Sequence, residues 1–505
     1  MTIKEDTSFF IKNNYTPRKH HTYFNDNLQD LKGITHQPHV YSFAGFLAKR
    51  FGCSHIIDVG CGSGRQLTKL YPEFEIIGID FGKNIEYCRN EFDFGEWIEF
   101  NLEQSKLPSI SNEILQDSVI ICSDVIEHLV NPTNMLKILK NWINYSPVCL
   151  LTTPERDLVR GKNDNGPPAN PYHVREWNME ELKQLLNYFG FRLSFVGLTA
   201  NNDQEFSKKT TMMIIEKNGE ITTDCTSNSF HNFEVLAIMT AYNEEDIVYQ
   251  SIHKLIQQGI KVHVIENWST DSTFQILKNL EKQSIITLER FPPDGPSNYY
   301  DWHDLLTRVE QVSKEIKADW YIHHDVDEIR VSPWPSYNLK QGIFRVDREG
   351  YNAIDHTVII IQPTDNNFVS NTDFEKYFKY FEFGKRSGHF LQIKAWKNYK
   401  HDISLAESGG HEVKFKKRKV YPYKFLLKHY PFRTKNQARK KVFVDRKPRW
   451  NPMEKKRGWH THYDHMNEEF NFIKSTTDLE LFDNEEFGKK YLVERLSSIG
   501  VLDLE

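Results

Sequence analysis

Between residues 38 and 216, short apolar runs alternate with amphipathic segments; the pattern breaks once, at 217–232, and then restarts. This alternation constrains the fold more than any other feature. Strands separated by helices run parallel, and a parallel sheet is covered on both faces, so its strands read as unbroken apolar runs. Residues 54–59, 75–80, 118–123 and 148–152 have that character, and 192–196 and 210–215 continue the same sheet. Helical patterns fall between them at 66–71, 135–144 and 179–189. The polar stretch 217–232 reads as a linker. After it, strand patterns at 235–239, 261–266 and 284–288 alternate with helices at 247–258 and 273–280. Beyond Arg330 aromatic and basic residues mix, and no strand order can be read. The expectation is an α/β chain with an N-terminal extension (1–37) and two doubly wound domains, 38–216 and 233–505.

The 505 residues exceed one ordinary domain, and a hydrophobic content of 39% is enough for two cores. A net charge of -5 gives no bias toward nucleic acid, and no nucleic-acid partner is expected. The stretch 411–460 is different, with eighteen Lys/Arg against three Asp/Glu. Its basic run suits an anionic diphosphate, a lipid-linked acceptor or peripheral contact with a membrane surface, although solvated lysines are its ordinary fate. Cys53, Cys61, Cys88, Cys122, Cys149 and Cys225 form no C-x-x-C pair, which points to free thiols in a reducing compartment. Residues 1–23 lack an apolar core, so no signal peptide is expected, and no apolar run approaches the roughly 20 residues of a membrane span. A cytoplasmic location follows, with the inner membrane face as the peripheral option.

Asp58-Val59-Gly60-x-Gly62-x-Gly64 ends the first strand, where an open parallel sheet binds its ligand. Glycines let the backbone turn sharply and approach a ligand closely. The next strand ends at Asp80, about 20 residues on, where a carboxylate can accept both ribose hydroxyls. The spacing is not the G-x-G-x-x-G of a dinucleotide fold, and Asp58 would repel a phosphate. A cationic or zwitterionic nucleoside suits the turn better.

These residues resemble motif I of the class I S-adenosylmethionine-dependent methyltransferases, over about 37–216. The resemblance implies a Rossmann-like domain and S-adenosyl-L-methionine as cofactor. It assigns Asp58, Gly60, Gly62, Gly64 and Asp80 to the cofactor, together with Asn101 and Leu102 at the adenine loop and Asp124 in the fourth-strand segment 122–129. The rigid stretch 167–177 is where a methyl acceptor would enter, with His173 as general base and His128 behind it. His173 could instead cap the following helix or pack on Trp177.

In the second half, a polar turn at Ala241, Tyr242, Asn243 and Glu244 follows the first strand, and Asn267 to Asp271 follows the next. Two such loops can share one nucleoside. Asp325-Val326-Asp327 ends a later strand, where alternate carboxylates suit a hard divalent ion.

These segments, in this order, resemble the GT-A glycosyltransferases of family 2. The resemblance implies a nucleotide-sugar donor held by Ala241, Tyr242, Asn243, Glu244, Asn267 and Asp271, and a divalent metal (Mn or Mg) on Asp325 and Asp327. Trp268 departs from a common Gly, and Glu266-Asn267 from a frequent Asp-Asp. His429 is a candidate third metal ligand, and Arg433 a candidate phosphate contact. Glu412 or Glu407, in the turn 407–412, is a candidate base for the acceptor hydroxyl, with a plain hairpin turn as the alternative.

The combined expectation is a bifunctional transferase of glycan or surface polysaccharide assembly, acting on a glycan or lipid-linked glycan acceptor. One rival is a glycosyltransferase whose first domain binds S-adenosylmethionine without turnover. Others are an NAD-dependent dehydrogenase, which the glycine spacing disfavours, and a non-catalytic scaffold.

Overall fold

In a computed structural model of the chain, which describes residues 9–29, 33–104, 108–217, 224–370, 372–398 and 402–504, the apolar runs of the first half become one sheet. Its strands are β1 (His55–Val59), β2 (Glu75–Asp80), β3 (Glu96–Glu99), β4 (Ser118–Ser123), β5 (Val148–Pro154), β6 (Arg192–Ala200) and β7 (Lys208–Glu216). Their spatial order is β3-β2-β1-β4-β5-β7-β6. The pairs from β3 to β5 are parallel, and β7 lies antiparallel to both β5 and β6. The order reverses between β1 and β4, so the crevice at their carboxyl ends is the ligand position of such a sheet. Ile57, Val59, Ile77, Ile120 and Leu151 fill one core with Leu136, Leu139, Leu182 and Leu185 from the helices Thr133–Trp142 and Met179–Tyr188. The second of these helices starts on a capping box made by Asn178 and Glu181.

The chain divides into two compact units, Met1–Glu220 with Asn484–Glu505, and Ile221–Asp483. The sequence places 484–505 in the second domain, whereas the structure packs them with the first. The helix Leu492–Ser497 buries Leu492, Val493 and Leu496 completely, and Glu494 pairs with Lys208 of β7. Gly197 of β6 permits the approach, since a Cβ there would lie 2.7 Å from the Lys489 carbonyl oxygen. Of the expected linker, 218–223 lie outside the described residues, and 224–232 contain a short helix, Asn228–His231, capped by Ser227.

Among the described residues the second unit holds two sheets. The first runs β10 (Thr287–Arg290), β9 (Lys261–Glu266), β8 (Val235–Ala241), β11 (Trp320–Asp325), β16 (Ala395–Lys397), β13 (Ala353–Ile354). Its first four strands are mutually parallel, and β16 turns antiparallel to β11. The region beyond Arg330 supplies the second sheet, with β12 (Glu328–Val331), β17 (Phe425–His429), β14 (His356–Gln362), β15 (Tyr380–Phe383) and β18 (Glu480–Leu481) as neighbours in that order. The pairing of β12 with β17 sets Glu328 opposite His429, which brings a late residue beside the end of β11.

Among the described residues no helix is long and apolar enough to cross a membrane. Four of the eighteen basic residues in 411–460 are internal: Lys424, Lys428, Arg433 and Lys441 are buried.

Candidate active sites

All three turn glycines take positive φ, at 80° (Gly60), 53° (Gly62) and 70° (Gly64). A Cβ on Gly60 would collide with the Val125 side chain, and one on Gly62 would stand 2.7 Å from Asp26 Oδ2. The turn therefore needs glycine for both conformation and space. Asp80 closes it from the end of β2, accepting from the amides of Gly62 (2.8 Å) and Phe81 (2.7 Å). Asp58 accepts from the Tyr41 hydroxyl at 3.0 Å, and its Oδ1 is buried with no hydrogen-bond partner.

The N-terminal extension takes part, which the sequence did not signal. Asp26 Oδ2 accepts from the Ser63 amide at 2.8 Å, and the Tyr23 hydroxyl donates to the Phe81 carbonyl oxygen at 2.9 Å. Three carboxylates thus surround one glycine turn. Burial pushes Asp58 up to about 7; Asp80 and Asp26 add to it and the Tyr41 hydrogen bond opposes it. Burial likewise pushes Asp80 up to about 6, against its two amide donors. Such a cluster favours a cationic ligand.

A cavity of about 800 Å³ opens on this turn. Asp80, Asn101, Leu102, Asp124, His128, Tyr172 and His173 all line it. Asp124 sits at φ 53°, held by Gln37 (3.0 Å) and Thr152 (3.1 Å). The Asn101 side chain accepts from the Glu103 amide at 2.9 Å, which fixes its own loop. His173 Nδ1 meets Glu176 Oε1 at 2.6 Å, and the Asn170 amide approaches its Nε2 at 2.9 Å. The ring neither caps the next helix, which Asn178 does, nor points away from the cavity. His128 packs edge-on against it at 4.9 Å, and burial pulls His128 down to about 3. Glu127, fully buried beside them, is lifted well above its usual range by burial and then by Asp124.

In the second unit the expected nucleoside loops do meet. The Asn243 amide donates to Ser269 Oγ at 3.0 Å, and the Thr270 amide to Asn243 Oδ1 at 2.8 Å. Asn243 (φ 57°) and Trp268 (φ 56°) both lie in the left-handed region, which explains why a glycine suits the Trp268 position. The Trp268 indole is held by the Pro292 carbonyl oxygen at 2.8 Å and by the Arg290 guanidinium over its ring. Ala241 ends β8, and its carbonyl oxygen takes the Asn267 amide at 2.9 Å. Asp271 Oδ1 accepts from the Thr273 amide at 2.9 Å, at the start of the following helix. Glu266 is fully buried and paired with Arg290, so its role is internal.

The acidic strand end is already balanced by lysines. Asp325 lies 3.1 Å from Lys394 Nζ, and Asp327 lies 2.7 Å from Lys441 Nζ and 3.5 Å from His429 Nε2. Burial alone would raise Asp327, but Lys441 and His429 outweigh it and hold it well below the usual carboxylate range. Of the three expected metal ligands, Asp327 and His429 converge, while Asp325 is drawn to Lys394 and to the Thr240 hydroxyl. Glu244 is buried between Arg433 and Lys441.

One expectation needs correction. Arg433 is fully buried and spent on Glu244, Asp246 and the Tyr430 carbonyl oxygen, so it is not placed to meet a phosphate. Glu412 is tied to Arg418 at 2.6 Å, and Glu407 is a largely exposed side chain beside His303. The neighbouring His411 lies within electrostatic reach of Lys394, Asp325 and Glu328, and the Gln392 side chain holds its Nδ1 at 2.8 Å. Lys394, Lys441, Asp246 and His411 were invisible to motif reasoning, because their partners Asp325, Asp327, Arg433 and Gln392 lie far from them in sequence or outside any motif.

Residues 38–194 match the methyltransferase domain family, and residues 236–297 match glycosyl transferase family 2. Two probable S-adenosylmethionine-dependent methyltransferases of Mycobacterium tuberculosis are 27% identical over 147 residues, 29% of this chain and 51% of theirs. A Mycolicibacterium smegmatis relative, also described as a probable S-adenosylmethionine-dependent methyltransferase, is 28% identical over 149 residues, 29% of this chain and 55% of its own. The chain therefore spans about half the length of the curated relatives it matches. A solved SAM dependent methyltransferase from Aquifex aeolicus is 17% identical, with a TM-score of 0.28, covering 39% of this chain and 100% of that one.

Proposed function

We propose that this chain, a methyltransferase domain followed by a glycosyl transferase family 2 segment, is a bifunctional enzyme of glycan or surface polysaccharide assembly. It moves a methyl group from S-adenosyl-L-methionine and a sugar from a nucleotide-sugar donor, and its acceptor is a glycan or lipid-linked glycan. The observation that supports this reading best is the single cavity joining the carboxylate-ringed glycine turn to His128 and His173. The buried carboxylates suit a cationic donor, and the two imidazoles suit a hydroxyl acceptor.

In methyl transfer the acceptor oxygen attacks the sulfonium methyl. The new C–O bond forms as the C–S bond breaks, and the electron pair stays on sulfur. A carboxylate partner on His173 Nδ1 leaves Nε2 as the nitrogen that takes the hydroxyl proton, in place of the Asn170 amide. In the second unit, Asp327 and His429 would hold a divalent cation (Mn²⁺ or Mg²⁺). Bound there, it supplies Lewis-acid stabilisation of the leaving diphosphate. Lys441 is placed to share that charge. A cytoplasmic enzyme meeting the inner membrane face through exposed parts of 411–460 fits a lipid-linked acceptor.

Titrating the full-length protein with S-adenosylmethionine, and with a panel of sugar nucleotides with and without Mn²⁺, tests the reading. Micromolar binding of the first and Mn²⁺-dependent binding of one of the second is expected. Failure of S-adenosylmethionine to bind removes the methyl-transfer half. Binding without turnover on any glycan supports the rival, a non-catalytic first domain.

A further inference from the structure

We propose that Glu127, His128 and His173 form a divalent-cation site at the first cavity, and that the acceptor hydroxyl is acidified there by the ion. The proposal rests on the methyl-transfer reading and deepens it. A ligand atom from each of the three side chains lies within 4.8 Å of the others, and among the described residues no other group of three or more His, Cys, Asp or Glu converges in this way.

The hydrogen bonds at the two Nδ1 atoms prepare the rings for an ion, and the Asn170 amide is the group that an ion must displace. The Tyr172 carbonyl oxygen, 3.1 Å from His128 Nδ1, can only accept, so Nδ1 carries the proton and Nε2 keeps its lone pair. Glu176 Oε1, 2.6 Å from His173 Nδ1, fixes the second ring in the same tautomer. The Asn170 amide, whose oxygen is engaged by the Tyr172 amide at 3.1 Å, donates to His173 Nε2 and so occupies the lone pair that an ion would take. A carboxylate or carbonyl behind each ligating imidazole is the usual second layer of a metal centre.

Glu127 supplies the independent observation. It is 0% exposed, Thr153 Oγ1 donates to its Oε2 at 3.0 Å, and its Oε1 is buried with no hydrogen-bond partner. A carboxyl taken out of water gives up its proton only to pairing or to a metal. His128 and His173 also line the cavity, so an ion on these three residues has open positions toward a bound acceptor. Two imidazoles and one carboxylate suit Mn²⁺, Fe²⁺, Co²⁺ or Zn²⁺ better than Mg²⁺ or Ca²⁺.

An acceptor hydroxyl on the ion loses its proton to water in the cavity. The resulting oxyanion attacks the sulfonium methyl, the C–O bond forms, the C–S bond breaks, and the thioether leaves neutral. With an ion bound, His173 acts as a ligand and the proton goes to solvent.

Mn²⁺ binding to the full-length protein, followed by the loss of its free electron paramagnetic resonance signal, tests the site. Asp327→Asn removes the other candidate ion and serves as the parent. The parent is expected to bind one Mn²⁺ per chain. Adding His173→Ala or His128→Ala should weaken this at least tenfold, and Glu176→Gln, which keeps all three ligands, roughly tenfold. Thermal unfolding confirms that each variant is folded. Unchanged Mn²⁺ affinity in folded His173→Ala and His128→Ala proteins, or no Mn²⁺ on the parent, overturns the site. Titrating S-adenosylmethionine into the same parent separates the two ideas. Methyl-donor binding without Mn²⁺ sinks the ion site alone, whereas Mn²⁺ without methyl-donor binding keeps the site and sinks the methyl-transfer reading.

Discussion

Lys441 Nζ stands 2.7 Å from Asp327 Oδ2 and 3.1 Å from Glu244 Oε1, so an ammonium already sits against the carboxylate that a metal would use. A metal at Asp327 would therefore compete with this ammonium, and Lys441 would set the threshold for its entry. Replacing it by Gln leaves Asp327 with His429 alone, and a broken buried pair costs about 3–5 kcal/mol. The Lys441→Gln protein is expected to melt lower than wild type without metal and to gain more from Mn²⁺. An Asp327→Asn control subtracts ions bound elsewhere. Equal Mn²⁺ gains in wild type and Lys441→Gln would show that Lys441 does not gate the site.

The glycine turn gives a prediction that separates conformation from space. Gly60 at φ 80° would press a Cβ on Val125, inside the core, whereas Gly62 at φ 53° would meet the tip of Asp26, which can move. Left-handed strain alone costs an alanine about 1–2 kcal/mol. Gly62→Ala should weaken S-adenosylmethionine binding, and Asp26→Ala in the same chain should restore part of it. Gly60→Ala should lose binding with no rescue from Asp26→Ala. Calorimetric titration of the four variants decides, and a Gly62→Ala defect untouched by Asp26→Ala refutes the assignment to space.

What was legible divides by range. Asp58, Asp80 and the three glycines were readable as strand ends and a turn, because a strand and the turn that ends it are local in sequence. Asp325 and Asp327 were readable for the same reason, but their partners were not. Lys441 reaches Asp327 across 114 residues, and Lys394 reaches Asp325 across 69. Nothing local distinguishes either lysine from its solvated neighbours. Arg433 shows the converse error: a basic residue in a basic run resembles a phosphate contact until Glu244 and Asp246 are found folded against it. The short strand β3 and the role of Asp26 were missed because neither carries a periodic pattern.

The carboxylates at the turn predict how methyl-donor binding depends on pH. Burial, with neighbouring acids adding, lifts Asp58 to about 7, and burial lifts Asp80 to about 6. Both lie above the unfolded value near 4. The folded chain thus holds protons that the unfolded chain releases, and these groups cost stability as pH rises from about 4 through 7. A cationic donor reverses the preference by favouring the ionised acids. Its affinity should rise with pH across 5–8, with protons released on binding near pH 6–7. Calorimetry in two buffers of different ionisation enthalpy measures that release. Proton uptake, or affinity falling as pH rises, would exclude the donor from these acids.

The last 22 residues make the first unit depend on the far end of the chain. Leu492, Val493 and Leu496 are completely buried, and each such side chain contributes about 1.5–3 kcal/mol. Their loss together rivals the 5–15 kcal/mol that holds a typical domain folded. Glu494 adds the ion pair with Lys208 on β7, the strand next to β5. Deleting 484–505 should therefore abolish S-adenosylmethionine binding and lower the melting of the first unit, while sugar-nucleotide binding by the second persists. Glu494→Ala, which leaves Lys208 unpaired but the apolar contacts intact, should fall between deletion and wild type. A deletion protein that still binds S-adenosylmethionine with wild-type affinity would show that these helices only decorate the sheet.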